Sequence, residues 1–295
     1  MGVSALERFA GDVGADGPVT VVGGRTQWDV GGAVDSGVRE VRAPSGIVEF
    51  EPAEMTVRCG AGTTVAELDA ALGEHGQCVA LAGDDGATVG GVLAVGRSGI
   101  RRLRQGPMRD VLLEARYVSA DGHLIKGGGP TVKNVSGFDL CRLLVGSLGT
   151  LGFLGEVVLR CRPRPVASQW FAGQAEPFDL VHRLHQPSAI LWDGTTTWLL
   201  LEGHTADVEA QAAIAGLAEA GGPPAMPIGG RVSMRPSELR TLTGEFVAEI
   251  GVGVVHTAEP AAAREMPSDV VALNRRVKQA FDPTGRLNPG RMVAA

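Results

Sequence analysis

Short apolar runs rich in β-branched residues and punctuated by glycine and proline recur through the first half of the chain. One run begins after Pro18, carries β-branched residues from Val19 to Val22 and stops at Gly23-Gly24. The same pattern predicts strands around Val38–Arg42, Ile47–Phe50 and Met55–Cys59. Residues 2–10 read as a short helix. A second helix is predicted from Thr64, because Thr64-Val-Ala-Glu67 spells a capping box and Val65, Leu68 and Leu72 recur at helical spacing. Strands at Val111–Val118 and His123–Lys126 flank Ala-Asp-Gly122, a hairpin signal. Leu140, Leu143 and Leu144 predict a short helix before Gly146, and Glu156–Arg160 a further strand. Pro163 and Pro165 then mark a boundary. Beyond it, strands are predicted at Gln169–Gly173, Ala189–Asp193, Thr196–Glu202 and Val252–His256. Helices are predicted at Asp207–Ala220 and Ser268–Phe281.

This mixture of strands and helices makes the fold class α+β. The stretch Gly83–Asp110 stands apart from it. It holds the pair Gly90-Gly91, then Gly96, Ser98 and Gly99, then Arg101, Arg102 and Arg104 within four positions. It reads as too glycine-rich for a packed helix. Bare backbone next to a basic cluster suits a phosphorylated planar ligand, and a plain surface loop is the other reading. The Gly23-Gly-Arg-Thr-Gln27 run can likewise be a turn or a nest of amides for anionic oxygens. Neither G-x-G-x-x-G opening a helix nor a Walker motif is present.

Composition narrows the possibilities. The 43 glycines are about twice the usual share of roughly 7%. A net charge of -6 and an aromatic content of 4% argue against nucleic acid as a partner. No apolar run approaches the roughly 20 residues of a membrane span. The four cysteines (Cys59, Cys78, Cys141, Cys161) form no CxxC, so zinc-ribbon and iron–sulfur runs are excluded and no metal site is expected. They read as reduced, buried, inert thiols of a cytoplasmic protein.

Seven segments occur in an order that resembles one family. They are VVGGRTQW, GAGTTVAELDAAL, GATVGGVLAVGRSG, GPMRDVL, VSADGHLIKGG, VKNVSGFDLCRLLVGSLGTLGFLGEV and FDPTGRLNPGR. Together they resemble the FAD-binding oxidoreductases of the vanillyl-alcohol oxidase (PCMH) type. RSGIRRLRQGPMRD and TVKNVSGFDL resemble the E-subunit family of bacterial glycolate oxidases in particular. The resemblance is dense over 18–165, thin in the middle and returns at the end. It implies a two-subdomain FAD-binding domain over 1–165, a small α+β cap over 166–258, and a C-terminal helix and tail (259–295) returning to the FAD domain.

The resemblance also implies site residues. Gly23, Gly24, Arg25, Thr26 and Gln27 would serve the FAD pyrophosphate. Thr88, Val89, Gly90 and Gly91 would follow the pyrophosphate and ribityl chain, with Ser98 and Gly99 nearer the ring. Gly146, Ser147, Gly149, Thr150 and Gly152 would line the flavin, and Glu156 and Val157 the adenine end. Arg109 and Asp110 would brace the site as an ion pair, and Asn288 would approach the ring. Relatives with covalent FAD carry His where this chain has Arg25-Thr26-Gln27, so non-covalent FAD is expected. Relatives that oxidise 2-hydroxy acids carry a His-rich cap; here His204 and His256 stand alone, and Phe138 replaces a frequent Tyr. No catalytic base stands out. Arg101, Arg102 and Lys133 are the candidates for a substrate carboxylate, since guanidinium pairs bidentately with carboxylate.

Two functions remain open. One is a subunit that oxidises a small 2-hydroxy acid by hydride transfer to FAD. The other is a flavin-binding partner or electron relay that stabilises a catalytic paralogue. Both imply a paralogous flavoprotein subunit and an iron–sulfur subunit, through which the protein would sit peripherally at a membrane.

Overall fold

The computed structural model describes residues 3–130, 139–260 and 266–291. In chain order the first elements are α1 (Ala5–Val13), β1 (Val19–Val21), β2 (Arg39–Val41), β3 (Ile47–Glu51), β4 (Thr56–Gly60), α2 (Val65–Gly73) and β5 (Gln77–Val79). Next come α3 (Val89–Val95), α4 (Arg102–Gln105), β6 (Leu112–Val118), β7 (Leu124–Gly128), α5 (Leu140–Leu144) and β8 (Phe153–Pro163). The remainder is β9 (Ala167–Gly173), α6 (Pro177–Arg183), β10 (Ala189–Trp192), β11 (Thr197–Gly203), α7 (Thr205–Ala215), β12 (Ala218–Ala220), β13 (Gly230–Ser233), β14 (Phe246–Glu249), β15 (Val254–Thr257) and α8 (Ser268–Phe281). The chain divides into two compact units. One comprises 1–98, 107–163 and 266–295, the other 99–106 and 164–265.

The first unit holds a parallel pair, β1-β2, and a sheet of order β3-β4-β8-β6-β7, with β5 also on β8. Its centre is β8, an 11-residue strand longer than the Glu156–Arg160 expected from sequence. Its residues from Phe153 to Leu159 are buried on both faces save for the half-buried Glu156, so it reads as a nearly continuous apolar run. The predicted capping box holds in both directions. Thr64 Oγ1 accepts from Glu67 N at 3.1 Å, while Glu67 Oε2 accepts from Thr64 N at 2.9 Å. Leu68 and Leu72 of α2 enter a core with Val57, Leu93, Ala115, Val157 and Leu159.

One sequence expectation fails here. Gly90 and Gly91 are not loop residues; they lie in α3, behind Thr88, whose Oγ1 accepts from Gly91 N at 3.2 Å. Gly90 serves close approach, since its N donates to Ala61 O at 2.7 Å and a Cβ there would stand 2.9 Å from that oxygen. The left-handed conformation comes later, at Gly96, which ends the helix with φ 70.

Three cysteines are buried in this unit. Burial first, reinforced by neighbouring thiols and carboxylates, pushes the Cys59 and Cys161 thiols up to about 12 and Cys141 to about 11. None of the four cysteines forms a disulfide. Thiol-specific labelling of the native protein at pH 8 is therefore expected to modify no site but the half-buried Cys78; rapid modification of Cys59 or Cys161 without denaturant contradicts it.

The second unit is a seven-stranded antiparallel sheet of order β12-β9-β11-β10-β14-β15-β13. Phe171, Ile190, Leu199, Leu201, Phe246 and Val255 pack on one face with Leu180 of α6 and Val208 of α7. Helix α7 ends at Gly216, which is left-handed, so the predicted Asp207–Ala220 helix is cut short and Ala218–Ala220 join the sheet as β12. The strands β12 and β13 occupy opposite edges, and residues 221–229 alone connect them. Residues 99–106, placed by sequence in the first domain, belong to this unit. Arg101 Nε lies 3.0 Å from Glu202 Oε1, and Leu103 packs against the sheet core. No helix among the described residues is long and apolar enough to cross a membrane.

Candidate cofactor site

Strand β1 ends in Gly23-Gly24 for a steric reason. A Cβ on Gly24 would lie 1.8 Å from Gly86 O, and one on Gly23 would lie 2.3 Å from Thr88 Oγ1. Only bare backbone brings the 23–27 segment against α3. Beside this junction lie two open cavities. Both are lined by Val21, Gly23, Thr88, Gly91, Ala94 and Asn288, so they form two lobes of one cleft with a neck at Gly23, Gly91 and Asn288. Arg25, Gln27, Trp28, Leu148 and Arg291 complete the first lobe. Ala61, Ser147, Gly149, Gly152 and Phe153 complete the second.

Two independent features mark this cleft as built for a ligand. Thr20 Oγ1, Gln27 Oε1 and Asn288 Oδ1 are buried there without a hydrogen-bond partner, at a cost that a ligand donor would remove. In addition, Arg25 (φ 58), Leu148 (φ 52) and Asn288 (φ 46) are non-glycine residues held left-handed, and all three line the first lobe. Strained backbone of this kind persists where surrounding structure over-determines it, and it gathers at binding sites. Asn288 Nδ2 donates to Leu148 O at 2.6 Å, which turns Oδ1 away from that carbonyl as a free acceptor.

The first lobe is cationic. Two guanidiniums lie over the Trp28 ring, Arg25 at 5.1 Å from the centroid and Arg291 at 4.6 Å. Arg291 also donates to Trp28 O and, at 2.6 Å, to Val30 O. Arg25 is shared with Glu40 at 2.5 Å. A glycine-lined junction between two lobes, with guanidinium groups at hand, suits a dinucleotide with its pyrophosphate at the junction.

The structure brings Gly23, Gly24, Arg25, Thr26, Gln27, Thr88, Gly90, Gly91, Ser147, Gly149, Gly152 and Asn288 to this cleft. Other expected residues stand elsewhere. Val89 and Val157 are core side chains. Gly146 and Thr150 flank the lining turn, where Thr150 Oγ1 donates to Ser147 O at 2.7 Å. Ser98 Oγ accepts from Met108 N, and Gly99 belongs to the second unit. Glu156 faces Arg116 at 3.4 Å. The expected Arg109–Asp110 pair is replaced by Asp110–Arg142 at 3.2 Å, because Arg109 and Asp110 occupy one tight turn. Arg101 is committed to Glu202, Arg102 is half-buried in α4, and Lys133 and Phe138 lie outside the described residues.

In the second unit His204 is the exposed residue before α7. His256 is not solitary; its Nε2 lies 3.0 Å from Oε1 of the buried Glu249. Sequence reasoning missed Thr20, Trp28, Leu148 and Arg291. For Arg291 a signal existed, since it closes the NPGR string beside Asn288.

A two-lobed cleft joined along a glycine-lined junction fits a dinucleotide cofactor. Comparison with known proteins makes it specific. Residues 3–128 match the FAD binding domain family, and residues 233–292 the C-terminal domain of FAD linked oxidases. Glycolate oxidase subunit GlcE of Escherichia coli is 29% identical over 94% of this chain and 93% of its own. D-lactate dehydrogenase of Archaeoglobus fulgidus is 40% identical over 55% of this chain, which spans only 37% of that protein. Alkyldihydroxyacetonephosphate synthase has a similar fold, with a TM-score of 0.67 over 96% of this chain and 73% of that one, at 13% identity. The chain is an FAD-linked oxidoreductase that carries an FAD binding domain over 3–128 and the C-terminal domain of FAD linked oxidases over 233–292, and its cofactor is FAD.

Proposed function

We propose that this chain is the FAD-binding subunit of a glycolate oxidase-like 2-hydroxy acid dehydrogenase, holding FAD without a covalent link. The observation that carries the FAD assignment to particular residues is the cleft necked at Gly23, Gly91 and Asn288, with its three unpartnered oxygens. Amides of the 23–27 segment and the Arg25 and Arg291 guanidiniums would hold the pyrophosphate; Asn288 Oδ1, Gln27 Oε1 and Thr20 Oγ1 would accept from ring or ribityl donors. Bound FAD would supply a hydride acceptor for the α-carbon of the hydroxy acid. No lining residue of either lobe is His, Cys or Tyr, which supports a non-covalent hold.

The partner-dependent version of this reading has its own support. Among the described residues no group of His, Cys, Asp and Glu is arranged to hold a metal, and Arg101 is occupied by Glu202. The sequence has no CxxC through which electrons could leave on an iron–sulfur cluster. A paralogous flavoprotein subunit and an iron–sulfur subunit would complete the reaction.

Acid precipitation of the purified yellow protein is expected to release all its flavin. The isolated chain is expected to reduce an artificial acceptor with glycolate or D-lactate slowly or not at all, and activity should appear on adding the partner subunits. Flavin retained in the pellet refutes the non-covalent hold. Robust turnover by the chain alone refutes partner dependence, and a protein that takes up no FAD refutes the assignment of this cleft.

A further inference from the structure

The Asn288–Leu148 contact at the neck of the cleft is held from behind by one ammonium group. Lys278, on α8, donates to Thr150 O at 2.8 Å, to Leu287 O at 3.1 Å and to Asp282 Oδ2 at 2.5 Å. A lysine has three N–H donors, and all three are used. Two of the acceptors are backbone carbonyls of segments that line the cleft: the 147–152 turn and the 287–291 tail. Asp282, whose side chain is fully buried, shapes the tail in turn. Its Oδ1 accepts from Arg286 N at 3.1 Å and its Oδ2 from Leu287 N at 2.8 Å.

Both segments then meet other walls of the same cleft. Leu148 N donates to Ala94 O of α3 at 2.8 Å. Asn288 N donates to Val19 O of β1 at 3.0 Å, and Val19 N to Arg286 O at 3.0 Å. Lys278 therefore stands where three segments cross, α8, the 147–152 turn and the tail, and through them it reaches α3 and β1. Leu148 and Asn288 are two left-handed residues facing each other across 2.6 Å. Such a pair needs an external brace, and the carbonyls next to them, Thr150 O and Leu287 O, are the ones Lys278 ties together.

We propose that Lys278 is a positioning residue for the cofactor, with Asp282 as its counter-charge. Pulling Thr150 O and Leu287 O to one point sets the Leu148–Asn288 contact and aims Asn288 Oδ1 into the neck. The inference rests on the reading of the cleft as the FAD site. Arginine is a poor substitute, because a planar guanidinium directs its donors outward and cannot meet three acceptors converging on a point.

The test is FAD titration of the apoprotein, followed by flavin absorbance, visible circular dichroism and reduction potential. It compares wild type, K278M, K278R, N288A and K278M/N288A, with R275M as an exposed control on the same helix. K278M and N288A are each expected to weaken FAD binding about tenfold or more, and to alter the bound-flavin spectrum in the same sense. Their effects should not multiply, since residues acting through one contact are coupled. K278R should recover little, and R275M should behave as wild type. Wild-type affinity in K278M, or fully multiplicative effects with N288A, overturns the proposal. Should K278M fail to fold, the same comparison made with D282N and D282N/N288A decides it by the same criterion. A wild-type protein that binds no FAD sinks the cofactor reading itself and is distinguished from failure of the brace by that control.

Discussion

Valine at position 91 is expected to abolish FAD binding and leave the fold intact. Gly91 lines both lobes of the cleft and has helical, not left-handed, backbone. An added Cβ meets only the Thr88 hydroxyl, at 3.0 Å. The rest of the valine side chain has nowhere to go but the neck. The loss should exceed about 100-fold in affinity, equivalent to about 2.7 kcal/mol. Thermal stability of the apoprotein should barely change, because removing a helical glycine offsets the small local crowding. Gly90→Val is the matched opposite. Its Cβ would press on Ala61 Cβ and Ala61 O, both 2.9 Å away, and a rigid backbone cannot yield. That variant is expected to lose about 1–3 kcal/mol of stability. Titration with FAD and urea unfolding of both variants separate the cases; a G91V protein that binds FAD normally shows that the neck lies elsewhere.

The largest stability effect is expected at Arg286. Its guanidinium is buried, at 5% residue exposure, and donates to the carbonyls of Val13, Gly14, Asp16, Gly17 and Ala120. All five donors of the fork are in use. These carbonyls come from the end of α1, the turn that follows it, and the β6–β7 hairpin. Arg286→Met leaves them buried without a charged donor, at an expected cost of about 4 kcal/mol in urea unfolding. Arg286→Lys should recover only part of that, since three donors on one atom cannot span five acceptors. A loss below about 1 kcal/mol for Arg286→Met contradicts this account.

Much of the first unit was legible in the chain. Short β-branched runs gave β1 to β4, the Thr64 capping box gave α2, and Asp-Gly gave the β6–β7 turn. Helix α3 was not legible, because its paired glycines carry little helix preference; it is held instead by the Thr88 cap, by the bond from Gly90 N to Ala61 O and by Val89, Val92 and Leu93 packed into the core. The edge strands β12 and β13 were invisible for a similar reason. Ala-Glu-Ala and Gly-Arg-Val-Ser carry little intrinsic strand preference and are recruited by neighbours. Of the site, the glycines and Asn288 were read through family resemblance. Trp28 and Leu148 could not be, since their roles follow from a cation stack and a left-handed turn that no periodicity encodes. The Arg101–Glu202 pair was not legible either, because the two residues lie about a hundred positions apart.

The join between β12 and β13 has a mechanical meaning. Six inter-strand steps separate the two edges, and laid flat they span about 29 Å at about 4.8 Å each. Ten Cα–Cα links lead from Ala220 to Gly230, and they reach at most about 33–36 Å. Pro223, Pro224 and Pro227 keep that path extended. Across a sheet laid flat, the segment would be a belt with few residues to spare, buckled at both rims. Residues can be added to such a belt freely, but it has almost none to give up. In the history of a chain like this one, it is a place where length can grow and can hardly shrink.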